Sequence, residues 1–107
     1  MKTIYLKKFG NILLSRPSGL EAFNAIRPDI NPLETIEIDF EGVLTVAPSW
    51  LDEFLIQLAN YTNGNVELLP TENPSVLFTL PVLSMAREDN VSLVAKRAIK
   101  RMNSLKK

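Results

Sequence analysis

The chain has 107 residues, neither cysteine nor histidine, and twelve Lys/Arg balanced by twelve Asp/Glu. This length fits one domain, and 46% hydrophobic residues exclude a disordered chain. Without cysteine there are no disulfides or thiolate zinc sites, and without histidine the commonest general base and imidazole metal ligand are missing. No apolar run approaches the ~18 residues of a membrane span. The leading MKTIYLKKFG lacks the apolar stretch of a signal peptide, so the expected setting is the cytoplasm, away from membranes. The neutral total hides a split: residues 1–86 hold five Lys/Arg against ten Asp/Glu, and residues 87–107 hold seven against two. An acidic body therefore carries a basic tail.

Thr3 to Phe9 is β-prone and predicts the first strand. Gly10-Asn11 turns the chain, and Ile12-Leu13-Leu14 predicts a short strand pairing back on the first. Ser15, or Ser18 with Glu21 three residues on, caps the next helix. Leu20, Ala22, Phe23 and Ile26 form its apolar face, and Arg27-Pro28 ends it, because a residue before proline disfavours the helical region. Asp29 to Leu33 reads as a loop.

Ile36, Ile38 and Phe40 then alternate with Glu37, Asp39 and Glu41, the period of a strand with one apolar face. Glu34–Glu41 is the expected centre of the sheet. Gly42 breaks the strand, and Val43, Leu44 and Val46 form a tight apolar loop. Leu51, Phe54, Leu55, Leu58 and Ala59 follow at helical spacing. Ser49 with Asp52 three residues later predicts a capping box, and Asn63-Gly64 supplies the stop.

Asn65–Leu69 predicts the next strand. Asn73-Pro74 starts a helix with Val76, Leu77, Leu80, Leu83 and Ser84 on one side, which Pro81 is expected to kink or end. After Glu88-Asp89-Asn90, the spacing predicts a helix over about 90–105. Val91, Val94, Ala95, Ala98, Met102 and Leu105 form its apolar stripe, and Lys96, Arg97, Lys100 and Arg101 lie on other faces. It is expected to fray from Asn103 onward. Strands alternating with helices predict an α/β layered domain spanning 1–107: a core of about 3–86, its small sheet covered by helices, and the C-terminal amphipathic basic helix.

Three motifs in order carry a resemblance. They are Phe9-Gly10-Asn11-Ile12-Leu13-Leu14-Ser15-Arg16, Asp39-Phe40-Glu41-Gly42-Val43, and Ser49-Trp50-Leu51-Asp52-Glu53. Together they resemble the STAS-like family of small bacterial domains of unknown function, related to the STAS domains of sulfate transporters and anti-sigma-factor antagonists. The similarity covers roughly residues 4 to 70. It implies a regulatory interaction domain without catalysis or cofactor, and a partner of the histidine-kinase-like ATPase class that phosphorylates or senses it.

The same resemblance places Ser49 where antagonist STAS domains carry a phosphorylated serine in the loop D-S-S-G-L. Here Pro48 and Trp50 replace a serine and a glycine of that loop, and Asp52 and Glu53 add negative charge beside any phosphate. The alternative is that Ser49 is a plain helix cap. Arg16, Asp39, Asp52 and Glu53 form the shared polar constellation. It is either a structural ion pair centred on Arg16, whose planar fork suits carboxylates, or a carboxylate site in which Asp39, Asp52 and Glu53 serve a metal-dependent hydrolase or nuclease. No Gly-rich phosphate loop accompanies those carboxylates. No catalytic residue or metal ligand is assigned.

Trp50 is either core or, with Arg16, Asp52 and Glu53, part of a partner-binding surface. The basic tail of Lys96, Arg97, Lys100 and Arg101 either docks on its own domain, pairs with a second copy to give a homodimer, or binds an acidic partner, nucleic acid or anionic membrane. No aromatic residues interleave the basic ones, and neither nucleic acid nor membrane is the expected partner.

Overall fold

The computed structural model describes residues 1–86 and 89–105. The order of elements is β1 (Lys2–Tyr5), β2 (Ile12–Leu13), α1 (Arg16–Ile26), β3 (Ile36–Asp39), β4 (Thr45–Val46), α2 (Pro48–Tyr61), β5 (Val66–Leu68), α3 (Pro74–Ala86) and α4 (Asn90–Leu105). The protein is of the α/β class, with four α-helices and two small parallel sheets among the described residues.

The main sheet has the order β1-β3-β5, all parallel, with Lys2 opposite Ile36 and Ile36 opposite Val66. The alternating strand is thus the middle one, as its pattern predicts. Its Ile36 and Ile38 are fully buried, while Glu37 and Asp39 are half-buried. Each step along the sheet crosses through a helix in the same direction. Crossovers of one hand place such helices side by side on one face, and α1 and α2 do lie against each other. Gly19 sits where a Cβ would come within 2.5 Å of the Trp50 carbonyl oxygen, so only glycine allows this approach of the two backbones. Further along the contact, Phe23 meets Tyr61 edge-on at 5.9 Å.

The first strand is shorter than predicted. It stops at Tyr5, and Leu6–Phe9 forms a 3-10 turn. The turn buries Leu6 and sends Phe9 toward Trp50 and Phe54, so core packing overrides the β propensity of that stretch. Ile12-Leu13 is a strand, but it pairs with β4 rather than β1. The apolar loop before α2 therefore contains a strand, because Leu13 and Val46 are drawn into the core as a facing pair.

Ser15 caps α1, its hydroxyl oxygen accepting from the Ser18 N–H. Ala22, Phe23 and Ile26 are buried as expected. Leu20 is partly exposed, and Gly19 takes its place at the packed face. Helix α2 buries Leu51, Phe54, Leu55, Leu58 and Ala59 in the same core as Ile36 and Ile38. It ends where Asn63 and Gly64 adopt positive φ and the Gly64 N–H bonds the Ala59 carbonyl, the left-handed stop predicted for that pair.

Helix α3 runs through Pro81 without ending. Pro81 lies on the exposed face, and Val76, Leu80 and Leu83 on either side of it are all buried. Packing on the inner face thus holds the helix across its missing hydrogen bond. Asn73 caps its start: the Oδ1 accepts from the Ser75 N–H while the Nδ2 donates to the Val43 carbonyl.

Helix α4 folds back on its own domain, touching α3, α2 and β5. Val91, Val94, Ala95, Ala98 and Met102 are buried, but Leu105 is exposed and outside the stripe. Asp89 caps it through the Ser92 N–H. Glu88, in the predicted lead-in, lies outside the described residues.

Candidate functional site

The polar constellation assembles where α1 and α2 begin. Arg16 is the first residue of α1, and Asp52 and Glu53 are one turn into α2. The Arg16 Nη2 meets Asp52 Oδ2 at 3.0 Å and its Nη1 meets Glu53 Oε1 at 3.1 Å. One guanidinium thus clamps two carboxylates. Gln57 Nε2 donates to the other Glu53 oxygen at 2.7 Å. Hydrogen bonds to Asp52, then to Glu53, raise the Arg16 pKa above the ordinary arginine range, against a smaller opposing effect of burial.

Asp39 does not join this cluster. It closes β3, and its Oδ1 accepts the Glu41 N–H at 2.9 Å in a local turn. Of the predicted ion pair of Arg16, Asp39 and Glu53, Asp39 drops out, and Arg16 instead joins Asp52 and Glu53. Nor do Asp39, Asp52 and Glu53 converge: among the described residues no group of three or more His, Cys, Asp or Glu is placed to hold a metal ion.

Ser49 is not the cap of α2. The helix starts at Pro48, with Ala47 as N-cap and no side-chain cap bond. Proline is favoured at the first helical position because its missing N–H has no intrahelical partner there anyway, and this moves Ser49 one residue into the helix. Its hydroxyl instead donates to the Leu14 carbonyl at 3.1 Å, tying α2 to the end of β2. Asp52, the other half of the predicted capping box, goes to Arg16 instead.

Trp50 is removed from the partner-binding candidates. It is fully buried, stacked on Phe54 with centroids 5.0 Å apart and tilted against Phe9. Its indole N–H donates to Ser18 Oγ at 3.3 Å. The aromatic beside Ser49 is thus a core residue that locks α1 to α2.

What the surface offers near Ser49 is aliphatic. Ile12 and Leu14 alternate with the buried Leu13 and face outward, and Leu44 lies at the mouth of the same ladder, its N–H bonded to the Asn11 carbonyl. All three are more than half exposed. In the sequence, Ile12 and Leu14 read only as strand formers. The signal available was the run of three apolar residues in a strand, of which one face must be outward.

On α4 the four basic residues divide. Arg97 Nη2 donates to the carbonyls of Gly64 and Val66, and its Nε lies 3.5 Å from Glu67. Arg97 therefore belongs to the docking of α4 on β5. Lys96, Lys100 and Arg101 are exposed. Among the described residues no helix is long and apolar enough to cross a membrane.

No protein-family model matches the chain, and comparison with curated proteins and with solved structures finds no significant match.

Proposed function

We propose that the chain is a non-catalytic, STAS-like interaction domain of the bacterial cytoplasm whose protein partner seats on Ile12, Leu14 and Leu44 beside Ser49. The observation that carries this reading is the exposure of those three large aliphatic side chains around a two-stranded ladder. The ladder is held from behind by the Ser49–Leu14 bond and the Asn73–Val43 bond. Arg16, Asp52 and Glu53 lie next to it and supply a polar rim, the usual surround of an apolar contact patch. The resemblance of the three sequence motifs to STAS-like domains favours a histidine-kinase-like ATPase as the partner.

In this reading Ser49 is a structural tie. A phosphate there would remove the hydroxyl donor from the Leu14 carbonyl and bring a charge of about −1.5 to −2 beside Asp52 and Glu53. Partner binding therefore does not depend on phosphorylation of Ser49.

The test is affinity purification from the native host with the parent, Ser49→Ala, and Leu14→Asp/Leu44→Asp, each checked for folding by circular dichroism. A kinase-like ATPase should be retained by the first two and lost from the third. Stoichiometric phosphorylation of Ser49 coupled to a change in partner affinity would overturn the phosphate-independent part. Thermal stabilisation by Mg²⁺, lost in Asp52→Asn, would instead favour a carboxylate-dependent hydrolase or nuclease, since a ligand that binds only the native state raises its stability.

A further inference from the structure

Helix α3 carries two apolar stripes. Val76, Leu80 and Leu83 are buried, whereas Phe78, Val82 and Met85 recur at i, i+4 and i+7 on the opposite side and are exposed, Phe78 by 72% and Met85 by 84%. No residue from Pro74 to Ala86 is charged. A helix on the surface of a globule ordinarily turns charged and polar residues outward, and this one turns out a phenylalanine and a methionine.

Beside the stripe runs an open groove of about 670 Å³ between α3 and α4, walled by Ser84 on one side and by Lys96, Ile99, Lys100, Asn103 and Ser104 on the other. At about 100° per residue, the exposed Pro81 falls between Ser84, which lines the groove, and the stripe. The charged residues that line the groove, Lys96 and Lys100, are of one sign. Lys96 and Lys100, one turn apart and exposed, form no ion pair among the described residues.

We propose that the α3 stripe and the α3–α4 groove receive a single amphipathic helix of a partner protein, apolar on the side that meets Phe78, Val82 and Met85 and acidic on the flank that meets Lys96 and Lys100. Phe78 to Met85 spans about 10 Å of α3, which matches two turns of a helix anchored at i, i+3, i+4 and i+7. A second copy of this chain fits less well. A two-fold contact here would bring two copies of the Lys96–Lys100 pair to one interface, and three exposed apolar side chains fall well short of the roughly 20–30 residues a side of a standard interface. A bilayer surface also fits less well, because anionic-lipid recognition takes clusters of about four to eight Lys/Arg, and the charged residues lining this groove are Lys96 and Lys100 alone. The proposal is independent of the surface beside Ser49 and stands or falls apart from it.

The experiment is selection of binders to the full-length protein from a displayed library of 16-residue helical peptides, randomised without charge bias, followed by anisotropy titration of the enriched peptides. The expected winners carry an apolar i, i+3, i+4, i+7 face with Asp or Glu flanking it. Their affinity should fall at least tenfold for Phe78→Ser and for Lys96→Glu/Lys100→Glu, and weaken with added salt. Met85→Ser provides the same reading should Phe78→Ser lose its fold. Winners that are neutral or basic, or that bind both serine variants as tightly as the parent, overturn the proposal. So does a dimer, detected by sedimentation, that Phe78→Ser dissociates. So does pelleting with phosphatidylserine vesicles that Phe78→Ser abolishes.

Discussion

The α1–α2 contact and the α3–α4 hairpin are both helix pairs, and they close in different ways. Where α1 meets α2, Gly19 lets the backbones touch, Trp50 stacks on Phe54 beneath Phe9, and Arg16 clamps Asp52 and Glu53 across the top. Apolar and polar groups there are answered from within the chain. Where α3 meets α4, the inner stripes of both helices are covered, but Phe78, Val82 and Met85 are turned away from the domain. Aromatic residues at the first contact support the fold. The aromatic residue of the second, Phe78, is exposed and contributes little to it. The same contrast separates Trp50, a candidate for either core or partner contact that proves to be core, from Leu14 and Leu44, which stand at a strand pair and are exposed.

Substitutions at the two helix pairs should have unequal effects. Val94→Asp should have the largest effect, because it buries an unpaired carboxylate in the face of α4 that docks on the domain. We expect α4 to detach, with its amide hydrogen-exchange protection lost while that of β3 and α2 persists; protection unchanged throughout would mean that α4 is not docked. Leu55→Ala should cost about 2–5 kcal/mol in urea denaturation, since Leu55 is fully buried, and a variant as stable as the parent would contradict its place in the core.

Gly19→Ala should cost about 1–3 kcal/mol, the usual range for overpacking, because the added methyl meets backbone that cannot rotate away. The equivalent small-to-large change at Ser84, in the open groove, should be near neutral. Arg16→Ala should cost about 1 kcal/mol and less in high salt, since Arg16 is nearly half exposed. Its pKa is raised, so the guanidinium's contribution is fully present below the unfolded arginine pKa and is lost only as pH rises through the still higher folded value. Between about pH 6 and 9 the difference between Arg16→Ala and the parent should therefore be flat; a difference that disappears within that range would mean another group controls the clamp.

The parts of the fold legible in the sequence are those with one apolar face. The alternation of Ile36, Ile38 and Phe40 identified the middle strand, the Leu51–Ala59 stripe identified α2, and the Val91–Met102 stripe located α4. Asn63-Gly64 and Asn73-Pro74 marked a helix end and a helix start through their own backbone chemistry. The parts that were not legible lack a period or obey a competing rule. A two-residue strand such as β4 has no repeat to read, so its pairing with β2 was hidden. Pro48 claimed the first helical position and displaced Ser49 from the cap, leaving Asp52 to Arg16. Helix α3 is apolar on both sides, and its inner stripe accounted for the helix well enough to hide the outer one. The absence of charge from Pro74 to Ala86 was the available sign. The three polar residues that do meet, Arg16, Asp52 and Glu53, were brought together by the motif pattern, while Asp39 followed its own turn at the strand end.

The contrast between the two helix pairs is tested most directly by truncating one phenylalanine in each and comparing urea midpoints under identical conditions. Phe54→Ala, in the fully buried aromatic stack, should lose about 3–5 kcal/mol. Phe78→Ser should stay within about 0.5 kcal/mol of the parent, as a surface change away from packed contacts does. Equal losses at the two positions would mean that the outer face of α3 is packed within the monomer, and would contradict the account.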